Sequence, residues 1–334
     1  MVGRLRCLTT LGPQVTTEDF AERARRAVLD PQRNPVLEHF NNPSAGPLHA
    51  HAPLLGLFND IPASLFRETE ARAWARAGFS FVVNDAEHSG WQGWYGREHN
   101  AALLRLGLTP IQRLPREARS AHGDALSLGA RGTMRPYAST VQDAVEYLAC
   151  LSLPDGTSEP TPLHRGAYPA RSGDGTPAFS VEGLRRAESG KVLACLQFET
   201  ADYIADAARR DTVIDLLAAF DSGRGGVAFV GGFDAAMRAV GRTFLDELGP
   251  QIAAVHRTAC EHGVPSGAVV GWSGQSHDDA EDASARIETA IDDGCRLIAA
   301  PVFASDLPLH GATTVAAPFH AAVARWRRKR GARC

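Results

Sequence analysis

Lysine is nearly missing from this chain of 334 residues: of its 35 Lys and Arg side chains, only Lys191 and Lys329 are lysines. Chemistry that needs an ε-amine, a Schiff base above all, has those two candidates and no others. Cysteine is sparse and scattered (Cys7, Cys150, Cys195, Cys260, Cys295, Cys334), with no C-x-x-C pair. That spacing excludes a disulfide framework and a zinc knuckle, and fits a reduced, cytoplasmic setting. No charge dominates either, with 35 basic against 38 acidic residues and a net charge of -3. A basic excess of the kind a nucleic-acid surface leaves is absent. No apolar run approaches the roughly 20 residues of a membrane span. Arg4 and Arg6 are not followed by the apolar stretch of a signal peptide.

What is present is an ordinary globular composition, 44% hydrophobic, in a chain long enough to bury a core without staples. Residues 1–50 contain Pro13, Pro31, Pro35, Pro43 and Pro47 and read as an arm packed on the main body, with one helix over Thr17–Leu29. From Leu54 short apolar runs alternate with segments of helical period, the pattern of successive βα units. Strands are expected at Leu54–Phe58, Phe79–Asn84, Thr109–Leu114, Gly132–Pro136, Val192–Phe198, Val227–Val230, Ala268–Gly271 and Leu297–Pro301. Helices are expected at Ala63–Ala77, Glu98–Leu106, Ala118–Leu128, Val141–Cys150, Ala201–Ala219, Phe244–Glu261, Asp279–Asp293 and Thr313–Arg330. The order predicts a (β/α)8 TIM barrel over residues 51–334, an α/β fold with an N-terminal extension. An open doubly wound sheet would require a glycine-rich phosphate loop after the first strand, where the sequence has Asn59-Asp60-Ile61-Pro62. One connection is anomalous: residues 154–190 are dense in Pro, Gly and Ser ahead of the fifth strand, which places them on the bottom face unless they fold back over the top.

Barrel active sites lie at the C-terminal ends of the strands. The second strand ends in Asp85-Ala86-Glu87-His88, the third in Gln112-Arg113, the fifth in Gln197-Phe198-Glu199 and the sixth in Gly231-Gly232-Phe233-Asp234. A single charged residue after an apolar strand is usually a solvated strand end. Four strands delivering acids, a histidine and an arginine to one rim are a constellation.

That constellation resembles the HpcH/HpaI family of metal-dependent class II 2-oxo acid (pyruvate) aldolases, which includes macrophomate synthase. The resemblance runs from Leu54 to the C-terminus. It rests on Leu55-Gly56-Leu57-Phe58, the Ala77–His88 run ending in D-x-E-H, Arg113, Leu128–Gly132, Gln197-x-Glu199 and Gly231-x-x-Asp234. It implies a carbon–carbon lyase acting through the enolate of a 2-oxo acid such as pyruvate, with an aldehyde as the other partner. It also implies Glu199 and Asp234 as metal ligands, and oxygen ligation suits Mg2+ or Mn2+ and admits Co2+. Arg113 then faces the ketone oxygen, where with the metal it stabilises the enolate, or else serves as an ion-pair partner of Asp85 or Glu87. His88 is the candidate general base, acting directly or through a metal-bound water, with Asp85 orienting it. Glu87 points the other way along the strand end. Gln197 shares the face of Glu199 and is placed to contact substrate or a metal water. Backbone N–H groups at Gly232 and Phe233 are placed to receive the substrate carboxylate. The family further implies a homo-oligomer, with the last helix, Thr313–Arg330, packing across subunits.

The sequence departs from the family at the sixth strand, where Phe233 stands in place of a small residue and Ala235-Ala236 in place of Leu-Ser. Arg135 on the fourth strand, where the family is apolar, either adds a cation near the pocket or points outward. Trp91, Trp94 and Tyr95 form a wall for the acceptor or anchor a loop. The same site also fits an oxaloacetate decarboxylase, or an enzyme like macrophomate synthase that couples decarboxylation to C–C bond formation. A barrel that has lost catalysis and binds a small acid or a protein partner is a third reading, which the retained His88, Arg113, Glu199 and Asp234 disfavour. His49-x-His51 has metal-ligand spacing but lacks a neighbouring acid or cysteine, and reads as an accident of the linker.

Overall fold

The computed structural model describes residues 34–60, 67–88, 94–116, 119–137, 140–151, 192–200, 204–220, 225–231, 243–270, 277–302 and 311–331. Within them eight parallel strands close into a barrel in sequence order. They are β1 (Leu54–Asn59), β2 (Phe81–Asp85), β3 (Thr109–Arg113), β4 (Gly132–Arg135), β5 (Leu193–Phe198), β6 (Gly226–Val230), β7 (Ser266–Val269) and β8 (Leu297–Val302). The described helices are α1 (Pro35–Phe40), ahead of the barrel, then α2 (Glu68–Arg76), α3 (Trp94–Arg105), α4 (Arg119–Ser127), α5 (Val141–Leu151), α6 (Ala207–Ala219), α7 (Thr243–Glu261), α8 (His277–Asp292) and α9 (Ala312–Gly331). Strand ends fall within two residues of expectation. The helix expected as one piece from Ala201 is broken at Asp206, whose carboxylate caps α6 by accepting from the Arg209 N–H. The expected helix over Thr17–Leu29 and the 154–190 connection lie outside the described residues.

Period-two alternation sorts each strand into an inward and an outward set. Phe81, Val83, Ile111, Met134, Leu193, Cys195, Val227, Phe229, Leu297 and Ala299 pack together inside the barrel. Leu55, Leu57, Val82, Ala194, Leu196, Phe198, Ala228, Val230 and Ile298 face the helical layer. The interior is thus a filled core rather than a pore. Gly56 makes room for it: a Cβ there would sit 2.1 Å from the Phe81 ring.

Val36, Leu37 and Phe40 of α1 and Leu48 belong to the same interior cluster and cover the barrel floor. The six-residue α1 was not foreseen, though its start is written plainly: Asn34 caps it and Pro35 follows. The floor is fixed by polar contacts at the strand bases. Asn34 Nδ2 donates to the Arg131 carbonyl at 2.9 Å. The buried Arg296 guanidinium donates to the carbonyls of Leu48, His49, Ile291 and Cys295. His51 is buried between the carbonyls of His39 and Gly46, which gives the His49-x-His51 pair a structural role.

Helix α9 packs on α8 and α2 of its own chain. Ser284 Oγ donates to the Pro318 carbonyl, His320 Nε2 meets the Ala77 carbonyl, and Arg325 pairs with Glu288. Lys329 is held by Glu288 at 2.7 Å and Asp292 at 2.9 Å, beside residues of the floor.

Candidate active site

The inward positions nearest the strand C-termini stop being apolar. Asp85 continues the Phe81–Val83 face, Arg113 the Ile111 face, and Gln197 and Glu199 the Leu193–Cys195 face. All four are buried. One rim of the barrel therefore concentrates acid, base and cation because three strands run one or two pleats past their last apolar inward residue.

Asp85 is the hinge of the cluster. Its Oδ2 lies 2.8 Å from His88 Nδ1 and accepts from Arg113 Nη1 at 3.3 Å, while its Oδ1 accepts from the Glu87 N–H at 3.1 Å. The Asp85 side chain is 4% exposed and that of His88 is 55% exposed, so the pair has a buried acid and a ring open to the mouth. The hydrogen bond to Asp85 raises the His88 pKa above 6.5, against a smaller opposing effect of burial.

Arg113 gathers the acids. Beyond Asp85, its Nη2 lies 2.7 Å from Glu87 Oε2 and 3.7 Å from Glu199 Oε1. The Glu87 contact is close in distance but off the line of a hydrogen bond. The guanidinium carbon stands 5.4 Å from the centroid of the Phe58 ring. The expectation that Glu87 points away is overturned. Strand β2 ends at Asp85 and residues 86–88 turn, so alternation no longer applies and Glu87 swings back onto Arg113.

Glu199 is 1% exposed, and its Oε2 accepts from the Tyr137 N–H at 2.9 Å. Gly231 leaves space for it, since a Cβ on Gly231 would sit 2.5 Å from Glu199 Cγ. Tyr137 has φ 51°, the one non-glycine residue in the left-handed region among the described residues. That conformation costs about 1–2 kcal/mol for a residue with a Cβ.

Two participants escaped the sequence reading. One is Tyr137, which acts through its backbone and so leaves no side-chain signal. The other is Asp60, the next inward position after Leu54, Gly56 and Phe58. Burial and the neighbouring Asp85 charge raise its pKa, and His88 and Arg113 act on it in the opposite sense. Period two read one residue beyond the first strand would have found it.

Gln197 Oε1 is buried and has no hydrogen-bond donor among the described residues. It is a hydrogen-bond acceptor on the same strand face as Glu199. Arg135 points outward: its neighbour Met134 lies in the barrel core, and Arg135 Nη2 pairs with Asp143 Oδ1 of α5 at 3.0 Å. Gly232, Phe233, Asp234 and Trp91 lie outside the described residues, as do the side chains of Trp94 and Tyr95.

The donor set fits a divalent cation. Three carboxylates, from Asp85, Glu87 and Glu199, lie within 3.7 Å of a single guanidinium, an excess of negative charge in a buried space. Ligand-type atoms of Asp85, Glu87 and His88 also lie within 4.8 Å of one another. There, however, Asp85 is already committed to His88 and Arg113, and Glu87 to Arg113.

No protein-family profile matches the sequence, and no curated protein matches it. Solved structures do. An HpcH/HpaI aldolase/citrate lyase family protein from Burkholderia cenocepacia is similar with a TM-score of 0.57 and 23% identity, over 83% of this chain and 95% of that one. An HpcH/HpaI aldolase from Desulfitobacterium hafniense is similar with a TM-score of 0.56 and 18% identity, over 77% and 89%. The citrate synthase SbnG is similar with a TM-score of 0.52 and 16% identity, over 83% and 94%. At these identities the chain shares with HpcH/HpaI aldolase family proteins the fold of the barrel.

Proposed function

We propose that this protein is a metal-dependent carbon–carbon lyase of the HpcH/HpaI type, acting through the enolate of a 2-oxo acid such as pyruvate with an aldehyde as the second partner. The observation that carries the reading is the convergence of His88, Asp85, Arg113 and Glu199 at one barrel mouth. The fold shared with the Burkholderia and Desulfitobacterium proteins supports it.

Glu199 and Asp234 are the proposed ligands of a divalent cation, Mg2+ or Mn2+. Bound there, such a cation would act as a Lewis acid toward the ketone of the 2-oxo acid. The chain's own groups do the rest. Arg113, pinned by Asp85 and Glu87, is a rigid cation at the mouth, available to developing negative charge on the enolate oxygen. His88 presents Nε2 to the mouth while Asp85 holds Nδ1, the arrangement that fixes a tautomer for proton transfer. Gln197 offers its Oε1 to substrate or water, and the backbone at Gly232 and Phe233 is proposed to receive the substrate carboxylate.

The decisive experiment is incubation with pyruvate and Mn2+ in D2O. Exchange of the methyl protons, lost in Glu199→Gln together with Mn2+ binding, is the expected result. No exchange with pyruvate or any other 2-oxo acid, metal being bound, would sink the reading. Faster CO2 release from oxaloacetate than aldol cleavage would assign the same site to decarboxylation.

A further inference from the structure

Strand β4 and helix α5 meet at one carboxylate. Asp143 Oδ1 accepts from Arg135 Nη2 at 3.0 Å, and Oδ2 accepts from the Thr140 N–H at 3.0 Å and Thr140 Oγ1 at 2.9 Å. The Asp143 N–H returns a hydrogen bond to Thr140 Oγ1, a reciprocal box at the start of α5. Arg116 Nη2 closes the group at 3.2 Å. The last residue of β4 and the residue opening α5 are therefore fastened to the same side chain.

Pro136 locks its own φ and confines Arg135 to extended backbone. Tyr137, the next residue, takes φ 51° and aims its N–H at Glu199 Oε2, 2.9 Å away. Strain of this kind persists only where the surroundings over-determine it. Arg135 and Asp143 are buried in the helical layer, yet the group their clamp directs is inside the barrel mouth.

We propose that Arg135 and Asp143 are positioning residues for Glu199: their ion pair holds Tyr137 in the left-handed region so that its N–H fixes the carboxylate that binds the metal. This rests on the reading of Glu199 as a metal ligand. Its test is arranged so that the two can fail separately.

Full-length wild type, Arg135→Met and the double variant Arg135→Met with Tyr137→Gly are compared by Mn2+ titration calorimetry and by amide-hydrogen exchange at position 137. Arg135→Met should weaken Mn2+ binding about 10- to 100-fold, the usual effect of losing an outer support of a metal ligand. It should also speed exchange at position 137. Glycine adopts a positive φ without penalty, so the double variant should recover most of the lost affinity and protection. Rescue of that kind is not expected of a salt bridge that only stabilises the helical layer. Unchanged affinity and exchange in folded Arg135→Met, or an affinity loss that glycine does not restore, would overturn the proposal. If wild type binds no Mn2+, the metal reading falls, and exchange at position 137 alone decides whether the clamp fixes this backbone.

Discussion

His88 and Asp85 divide one task between an exposed ring and a buried acid, and their consequence is a pH profile. The Asp85 hydrogen bond raises the imidazole pKa, so the base form required for proton abstraction is reached only above 6.5. The acid limb of kcat/KM should therefore have its midpoint above 6.5. Asp85→Asn should move it downward and lower the plateau by about 10- to 1000-fold, as a misdirected tautomer does. A midpoint unmoved by that substitution, measured from pH 5 to 9, would show that another group limits the rate. The residues of this cluster were legible in the sequence because each sits at a strand end with an unmistakable functional group. Glu87 was misread because it lies past the last strand residue, where the alternation rule ends. The role of Tyr137 left no trace at all, since any residue but proline offers the same N–H.

At the scale of the element, register decides what a glycine is for. Gly231 follows β6 directly across from Glu199, where even a methyl group would stand 2.5 Å from Glu199 Cγ. Gly231→Ala should displace the carboxylate and weaken Mn2+ binding by at least about tenfold, while far-UV circular dichroism stays unchanged. Titration calorimetry checks this, and wild-type affinity in the variant would show that the side chain moves aside at no cost. The eight βα units were legible because apolar runs and helical periods alternate with little ambiguity. Arg135 was not, although its outward direction follows from β4 alternation once Met134 is known to face inward. Sequence alone could not set that phase, because Gly132–Arg135 offers only four residues and a buried arginine contradicts either face.

For the whole molecule, two buried imidazoles contribute to the response to acid. His122 lies against Tyr147 between α4 and α5, its ring nitrogens without hydrogen-bond partners among the described residues. His256 on α7 meets Ser266 Oγ at 3.0 Å. Burial lowers both pKa values to about 4. Between pH 6.5 and about 4 the unfolded chain binds protons at these rings that the folded chain refuses, so their contribution to stability falls as pH falls through that window. Thermal melts from pH 7.5 to 4.5 should show Tm dropping across it, and His122→Phe should flatten the slope. An equal slope in the variant would place the acid sensitivity elsewhere. The lysine scarcity also acquires a place: Lys329 is tied to α8 by two carboxylates beside the floor, away from the mouth.

The floor itself has one more implication. Helix α1 and the Arg296 guanidinium stopper the end of the barrel opposite the acids, and the interior above them is filled by Phe81, Phe229 and Met134. Among the described residues the packed interior closes the floor side, which leaves the mouth as the side from which the acids can be approached. In the reaction proposed above, both reactants would then enter and both products leave on that one side.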